Sequence, residues 1–169
     1  MIVVIAAMDP SGLIGLDGKI PWHYSEDFKR FKTLTKGCTV IMGHNTWVSL
    51  PPKKLPGRFC VVLSDAPDCL GELPDAVDAS KDLGKTLREL DCFPHKPLYV
   101  IGGAMVYRAA LETGLVDEVD LTIVPEVPPL EAGVVTRFPT DLLVGYALQS
   151  EGTNPHDARL THRRYVRNS

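Results

Sequence analysis

At 169 residues and 44% hydrophobic content, the chain suits one compact domain spanning residues 1–169, with a full core and no room for a second. Eighteen basic against 21 acidic residues leave a formal charge of -3, which gives no electrostatic reason to expect nucleic acid. Cys38, Cys60, Cys69 and Cys92 form no C-x-x-C and no zinc-ligand spacing with histidine, so neither a metal site nor a disulfide framework is expected, and reduced thiols in a cytoplasmic protein are.

In chain order, residues 2–7 read as a buried first strand, without a basic leader and meeting Asp9 too early for a secretory core or a membrane span. Residues 9–19, with Gly12, Gly15 and Gly18, read as a long irregular connection of the kind that carries function. Gly18-Lys19 is no phosphate loop, because Leu13 stands at the leading glycine position and Ile20 follows the lysine. A short helix follows, with Ser25 as its cap and Gly37 as its left-handed stop.

In that helix Glu26 is spaced to pair with Arg30, while Asp27, Phe31 and Leu34 fall at i, i+4, i+7 with Phe28 beside them. Asp27 has two readings on spacing alone. It can sit at the positive end of the helix dipole, or it can face an apolar pocket as a ligand-binding acid, ionised only where a cation or several donors meet it.

Residues 39–43 form an apolar strand run, 45–50 a short helix, and Pro51, Pro52, Pro56 and Gly57 break the chain before a strand at 58–64. A helix at 80–90 has Ser80 as its cap and Leu83, Leu87 and Leu90 on one face. A buried strand at 98–101 ends at Gly102-Gly103, a helix covers 104–111 and a strand 118–124. Proline-rich sequence then precedes strands near 146–150 and 158–167, where Arg159, His162, Arg163, Arg164 and Arg167 read as a solvated face. Alternating strands and helices predict an α/β fold of three layers: a mostly parallel central sheet, helices on both faces, and an antiparallel C-terminal edge.

Two strand ends that lead into helices, Gly43-His44-Asn45-Thr46 and Gly102-Gly103, could each bring backbone amides to an anion, though a tight turn explains the glycines equally well. Arg58, after a Pro-Gly corner, is either a surface residue or a grip for a carboxylate.

Taken together the chain resembles the dihydrofolate reductase family over essentially its whole length. The resemblance rests on an ordered set: Ile5-Ala6-Ala7, Ile14-Gly15, Pro21-Trp22, Asp27 with Phe31-Lys32, Val40-Ile41-Met42-Gly43, Thr46-Trp47, Leu55-Pro56-Gly57-Arg58, Leu63-Ser64, Ile101-Gly102-Gly103, Val106-Tyr107, Leu121-Thr122 and Phe138-Pro139. It implies hydride transfer from NADPH to 7,8-dihydrofolate, giving 5,6,7,8-tetrahydrofolate, in a cytoplasmic monomer that binds antifolates and neither membrane nor nucleic acid. Asp27, Trp22 and Thr122 match the catalytic positions. Ile5, Ala7, Phe28, Phe31, Leu50, Leu55, Arg58 and Ile101 match the substrate wall, Arg58 holding the glutamate α-carboxylate. Ala7, Ile14, Ile20, Gly43, His44, Asn45, Thr46, Leu63, Ser64, Asp65, Gly102, Gly103, Ala104, Met105, Val106 and Tyr107 match the cofactor positions, with a cis peptide at Gly102-Gly103.

Three positions that read the 2′-phosphate in relatives depart from the pattern: His44, Asp65 and Met105. Aspartate repels a phosphate dianion but accepts from a ribose hydroxyl, so preference for NADPH over NADH is expected to be reduced. Val135 stands where many relatives place an aspartate that contacts the mobile loop, so loop closure is expected to be held differently. The alternatives are a related pyrimidine reductase of riboflavin synthesis and a non-catalytic folate- or nucleotide-binding module.

Overall fold

A computed structural model describes residues 1–50, 55–66, 75–91, 96–127 and 133–168; Cys69, Cys92, Pro51, Pro52 and part of the proline-rich segment lie outside these. The elements are β1 (Ile2–Met8), β2 (Leu13–Leu16), α1 (Ser25–Thr35), β3 (Thr39–Gly43), α2 (His44–Ser49), β4 (Phe59–Leu63), β5 (Val77–Ser80), α3 (Leu83–Asp91), β6 (Leu98–Val100), α4 (Ala104–Glu112), β7 (Glu118–Ile123), β8 (Val135–Arg137), a 3-10 turn (Thr140–Gly145), β9 (Tyr146–Asn154) and β10 (Asp157–Arg167).

Eight strands form one sheet in the order β5-β4-β3-β6-β1-β7-β10-β9. Neighbours from β5 to β7 are parallel, and β10 runs antiparallel to both β7 and β9. The apolar runs build the middle of the sheet because their residues are buried on both faces, as parallel strands require. Alternation sorts them: Ile2 and Val4 join Leu87 of α3 and Tyr107, Ala110 and Leu111 of α4 on one face. Val3 and Ile5 join Trp47 of α2 on the other, where Phe31 and Leu34 of α1 pack against them. Helices thus cover both faces, as expected.

Several local expectations are corrected. Residues 9–19 are not irregular throughout, since β2 pairs antiparallel with β8. The partner lies more than a hundred residues away, so local pattern could not reveal the pairing. Ser25 does not cap α1. Tyr24 is the extended residue before the helix, its carbonyl accepts from the amides of Asp27 and Phe28, and its ring lies 4.9 Å from the Arg159 guanidinium carbon. Ser80 belongs to β5, and Asp82 caps α3 by accepting from the Lys85 amide at 2.8 Å. Glu26 pairs with Lys29 at 2.6 Å, leaving Arg30 to another partner. Gly37 does have the left-handed conformation, with φ 71°.

The helix expected at 80–90 does bury Leu87, which is 0% exposed. Leu87→Ala is expected to cost about 3 kcal/mol, the transfer loss plus a cavity, read as a lower midpoint in urea unfolding.

Candidate active site

The register of three strands selects the residues that face α1. Ile5 pairs with Asp120 and Ala7 with Thr122, while His162 pairs with Thr122 and Arg164 with Asp120. Because side chains alternate, Ile5, Ala7, Asp120, Thr122 and His162 share the face that α1 covers. Arg30 meets Asp120 in a two-pronged ion pair, 2.8 and 2.7 Å. One helical turn away, half-buried Asp27 accepts a hydrogen bond from the Thr122 hydroxyl.

Burial pushes the Asp27 carboxyl above its ordinary 3.8. The Thr122 hydrogen bond and the charges of His162 and Arg30 oppose this, and Asp120 adds to it. His162 is half-buried, which corrects its place on a solvated face. Its Nδ1 lies 3.2 Å from Thr122 Oγ1 and its Nε2 3.0 Å from Asn154 Nδ2. Burial and then the Arg30 charge push the imidazole below 6.5, against the pull of Asp120 and Asp27. The other basic residues of β10 are tied at the surface, Arg159 to Asp157, Arg163 to Glu151, Arg164 to Glu118 and Arg167 to Asp117.

The expected substrate wall largely assembles. Ile5 is buried on the α1 side of the sheet, and Phe31, Leu50, Leu55 and Ile101 pack against the core there. Ala7 is half-buried; Phe28 is 43% exposed and stacks on His23 with ring centroids 5.1 Å apart. Arg58 is buried at 7% exposure. Its Nε donates to Thr35 Oγ1 at 2.8 Å, and its terminal nitrogens donate to the carbonyls of Pro56 (2.9 Å) and Lys32 (3.3 Å). Burial lowers its pKa, and among the described residues no carboxylate forms an ion pair with it.

β3 and β6 are neighbours, which brings the two glycine ends together. The Gly43 amide donates to the Gly102 carbonyl at 2.8 Å, and the Gly102-Gly103 peptide is cis. A Cβ on Gly43 would stand 3.0 Å from Val106 Cγ2, and one on Gly102 would stand 3.1 Å from the Tyr107 hydroxyl. The caps of α2 and α4, Gly43 and Gly103, offer no side chain to the first helical amides. Thr46, Ala104 and Val106 are half-buried around this corner, and His44, Asn45, Asp65 and Met105 are exposed, Met105 to 87%. Ser64 is half-buried with its hydroxyl accepting from the Ala66 amide at 3.2 Å, and Leu63 and Ile14 pack against the core shared with α3 and α4. Tyr107 lies beneath the corner, buried, its hydroxyl donating to the Ile5 carbonyl at 2.9 Å.

Half-buried Trp22 and Ile20, 54% exposed, line an open groove with Leu16, Lys19 and Val127. The tie between this segment and β8 is reversed relative to the pattern expected of the family. Val135 pairs with Leu16, and the carboxylate belongs to Asp17, which accepts from the Val134 amide at 2.8 Å while its own amide donates to the Val134 carbonyl at 3.0 Å. Among the described residues no group of three or more His, Cys, Asp or Glu is placed to hold a metal, and no helix is long and apolar enough to cross a membrane.

Arg30, Asp120, His162 and Asn154 were not singled out from the sequence as site residues. Only Arg30 had a usable signal, three places from Asp27 and so close to its helix face.

The fold and site define a class: an open α/β sheet with a half-buried acid over one face and a glycine-lined corner at the carboxyl ends of its parallel strands. The family described as dihydrofolate reductase matches residues 1–151. The dihydrofolate reductase of Mycobacterium leprae is 40% identical over 128 residues, covering 73% of this chain and 74% of the relative. Dihydrofolate reductase type 3 of Salmonella typhimurium is 34% identical over 158 residues, 93% of this chain and 90% of the relative. A solved dihydrofolate reductase from Enterococcus faecalis, complexed with NADP(H) and RAB-propyl, superposes with a TM-score of 0.81 at 25% identity over 100% of this chain and 97% of that one. The chain belongs to the dihydrofolate reductase family.

With its folded pKa above 3.8, Asp27 binds more proton in the native than in the unfolded chain between the two values, so native stability falls as pH rises through that window. Asp27→Asn, neutral throughout, is expected to unfold at higher urea than the parent at pH 7, with the gain disappearing below the ordinary 3.8.

Proposed function

We propose that this chain reduces 7,8-dihydrofolate to 5,6,7,8-tetrahydrofolate with NADPH, the activity its family is named for, and that Asp27 is the acid that recognises the pterin. The observation that carries this reading is a half-buried carboxylate, held by the Thr122 hydroxyl on the face lined by Ile5 and Phe31, beside the glycine corner. Desolvation of that carboxylate needs donors, and the ring N3 and 2-amino groups of the pterin supply them. Asp27 faces that edge of the ring and not N5, so its charge favours protonation at N5 from a distance.

Arg58 supports the same orientation. A buried guanidinium without a described carboxylate partner is costly, and among the described residues three of its five N–H groups are engaged. One N–H on each terminal nitrogen is left for the α-carboxylate of the glutamate tail.

The glycine corner fits a dinucleotide: the starts of α2 and α4 lack side-chain caps, which leaves their first amides for an anion. The solved Enterococcus faecalis enzyme, complexed with NADP(H), supports the assignment. When bound, NADPH supplies the hydride. Gly43, Thr46, Gly102, Gly103 and Ala104 would hold the cofactor there, while Ile20 and Trp22 would exclude bulk water from the reacting carbons. We place that action in a cytoplasmic monomer, as expected from the sequence.

Loss of NADPH absorbance on adding dihydrofolate tests the reading and separates it from a pyrimidine reductase or a binding module. Asp27→Asn is expected to lower kcat/KM for dihydrofolate by about two orders of magnitude while leaving the protein folded; parent-like activity would remove Asp27 from its role. Exposed Asp65 is expected to weaken the choice of NADPH over NADH. Asp65→Ser should raise the ratio of kcat/KM for the two cofactors about fivefold, as loss of a repulsion of about 1 kcal/mol would.

A further inference from the structure

We infer that His162 is a positioning residue for this reaction: with its tautomer fixed by Asn154, it holds the Thr122 hydroxyl so that the single hydroxyl proton points at Asp27. The inference rests on Asp27 being the substrate acid and extends that reading outward by two residues.

The direction of every hydrogen bond follows from one end. Asn154 is buried, at 7% exposure, and its Oδ1 accepts from the amides of His156 at 2.8 Å and Asp157 at 3.2 Å. Those two amides orient the side chain, so the group facing His162 Nε2 at 3.0 Å is the NH2. A donor there requires an unprotonated Nε2. The neutral ring therefore carries its hydrogen on Nδ1, which lies 3.2 Å from Thr122 Oγ1. The Thr122 oxygen accepts that hydrogen, and its own proton is committed to Asp27.

The arrangement has a chemical purpose beyond filling space. A free threonine hydroxyl rotates, whereas one that already accepts from an imidazole is fixed as a donor and is polarised toward the carboxylate. The ionised form of Asp27 is thereby favoured without placing a second cation in the cleft. Imidazolium is opposed because Nε2–H would meet the Asn154 N–H. Arg30 on α1 opposes it as well, whereas Asp27 on α1 and Asp120 on β7 favour it.

The test uses the full chain without ligand, then the working enzyme. In the 15N spectrum of the parent at pH 7, His162 should be neutral with its proton on Nδ1; a proton on Nε2, or an imidazolium, would overturn the inference. His162→Phe should raise the titration midpoint of the Asp27 carboxyl carbon by about half a pH unit. It should also raise KM for dihydrofolate about fivefold while KM for NADPH stays unchanged. His162→Asn, which keeps a donor near the Nδ1 position, should restore most of both, and in a Thr122→Val background His162→Phe should move neither. An unmoved Asp27 midpoint in His162→Phe sinks the proposal. Should that variant fail to fold, the parent tautomer and the Asp27 midpoint of His162→Asn, expected within about 0.2 of the parent, decide it. The tautomer and the titration need no substrate, so an error in the substrate assignment would appear separately, as a parent that binds NADPH but does not oxidise it with dihydrofolate.

Discussion

A carboxylate withdrawn from water must be compensated by donors or opposite charge, or it takes up a proton. The architecture around Asp27 follows from that requirement. α1 carries the acid over a sheet face whose apolar part is Ile5 and whose polar part is Asp120, Thr122 and His162, and the register of β1, β7 and β10 places these groups in adjacent rows. Thr122 supplies a donor. Arg30 supplies a cation, but one already claimed by Asp120, so its attraction is tempered. What remains is an under-satisfied acid, suited to a ligand that brings its own donors.

The same sheet explains why the two halves of the site are neighbours. β3 and β6 lie side by side although α2, two strands and α3 intervene between them in the chain, so both glycine ends open at one edge. Tyr107 reaches under that corner and spends its hydroxyl on the Ile5 carbonyl, joining the glycine corner to the strand that supports the substrate wall. Burial and the Asp27 charge push the Tyr107 hydroxyl well above its ordinary value, so it acts as a fixed donor.

The strands buried on both faces were legible in the sequence because continuous apolar runs have few other uses, and α1 was legible from the spacing of Asp27, Phe31 and Leu34. Of the residues placed by family likeness on the substrate wall, Ile5, Phe31, Leu50, Leu55 and Ile101 pack together, and Phe28 is exposed. What sequence could not show depended on pairing across distance. β2 was hidden because four residues acquire strand character only when β8 supplies hydrogen bonds. Helix caps were misplaced by one or two residues, since Tyr24 and Asp82 took positions for which Ser25 and Ser80 were equally suitable locally. His162 was hidden among arginines: Arg164 shares its face but ends exposed in a pair with Glu118, whereas His162 is half-buried beside Thr122.

The clasp between β2 and β8 has an evolutionary corollary. Asp17 grips main chain at Val134, and Asp17 itself sits at a positive φ of 48°. Since every residue except proline presents the same amide, the side chains at Val134 and Val135, both exposed, are released from any duty in that contact. Sequence drift in this stretch is therefore cheap, whereas position 17 has to keep both a short acceptor and a tolerance for left-handed backbone, a pairing that asparagine and aspartate alone meet well.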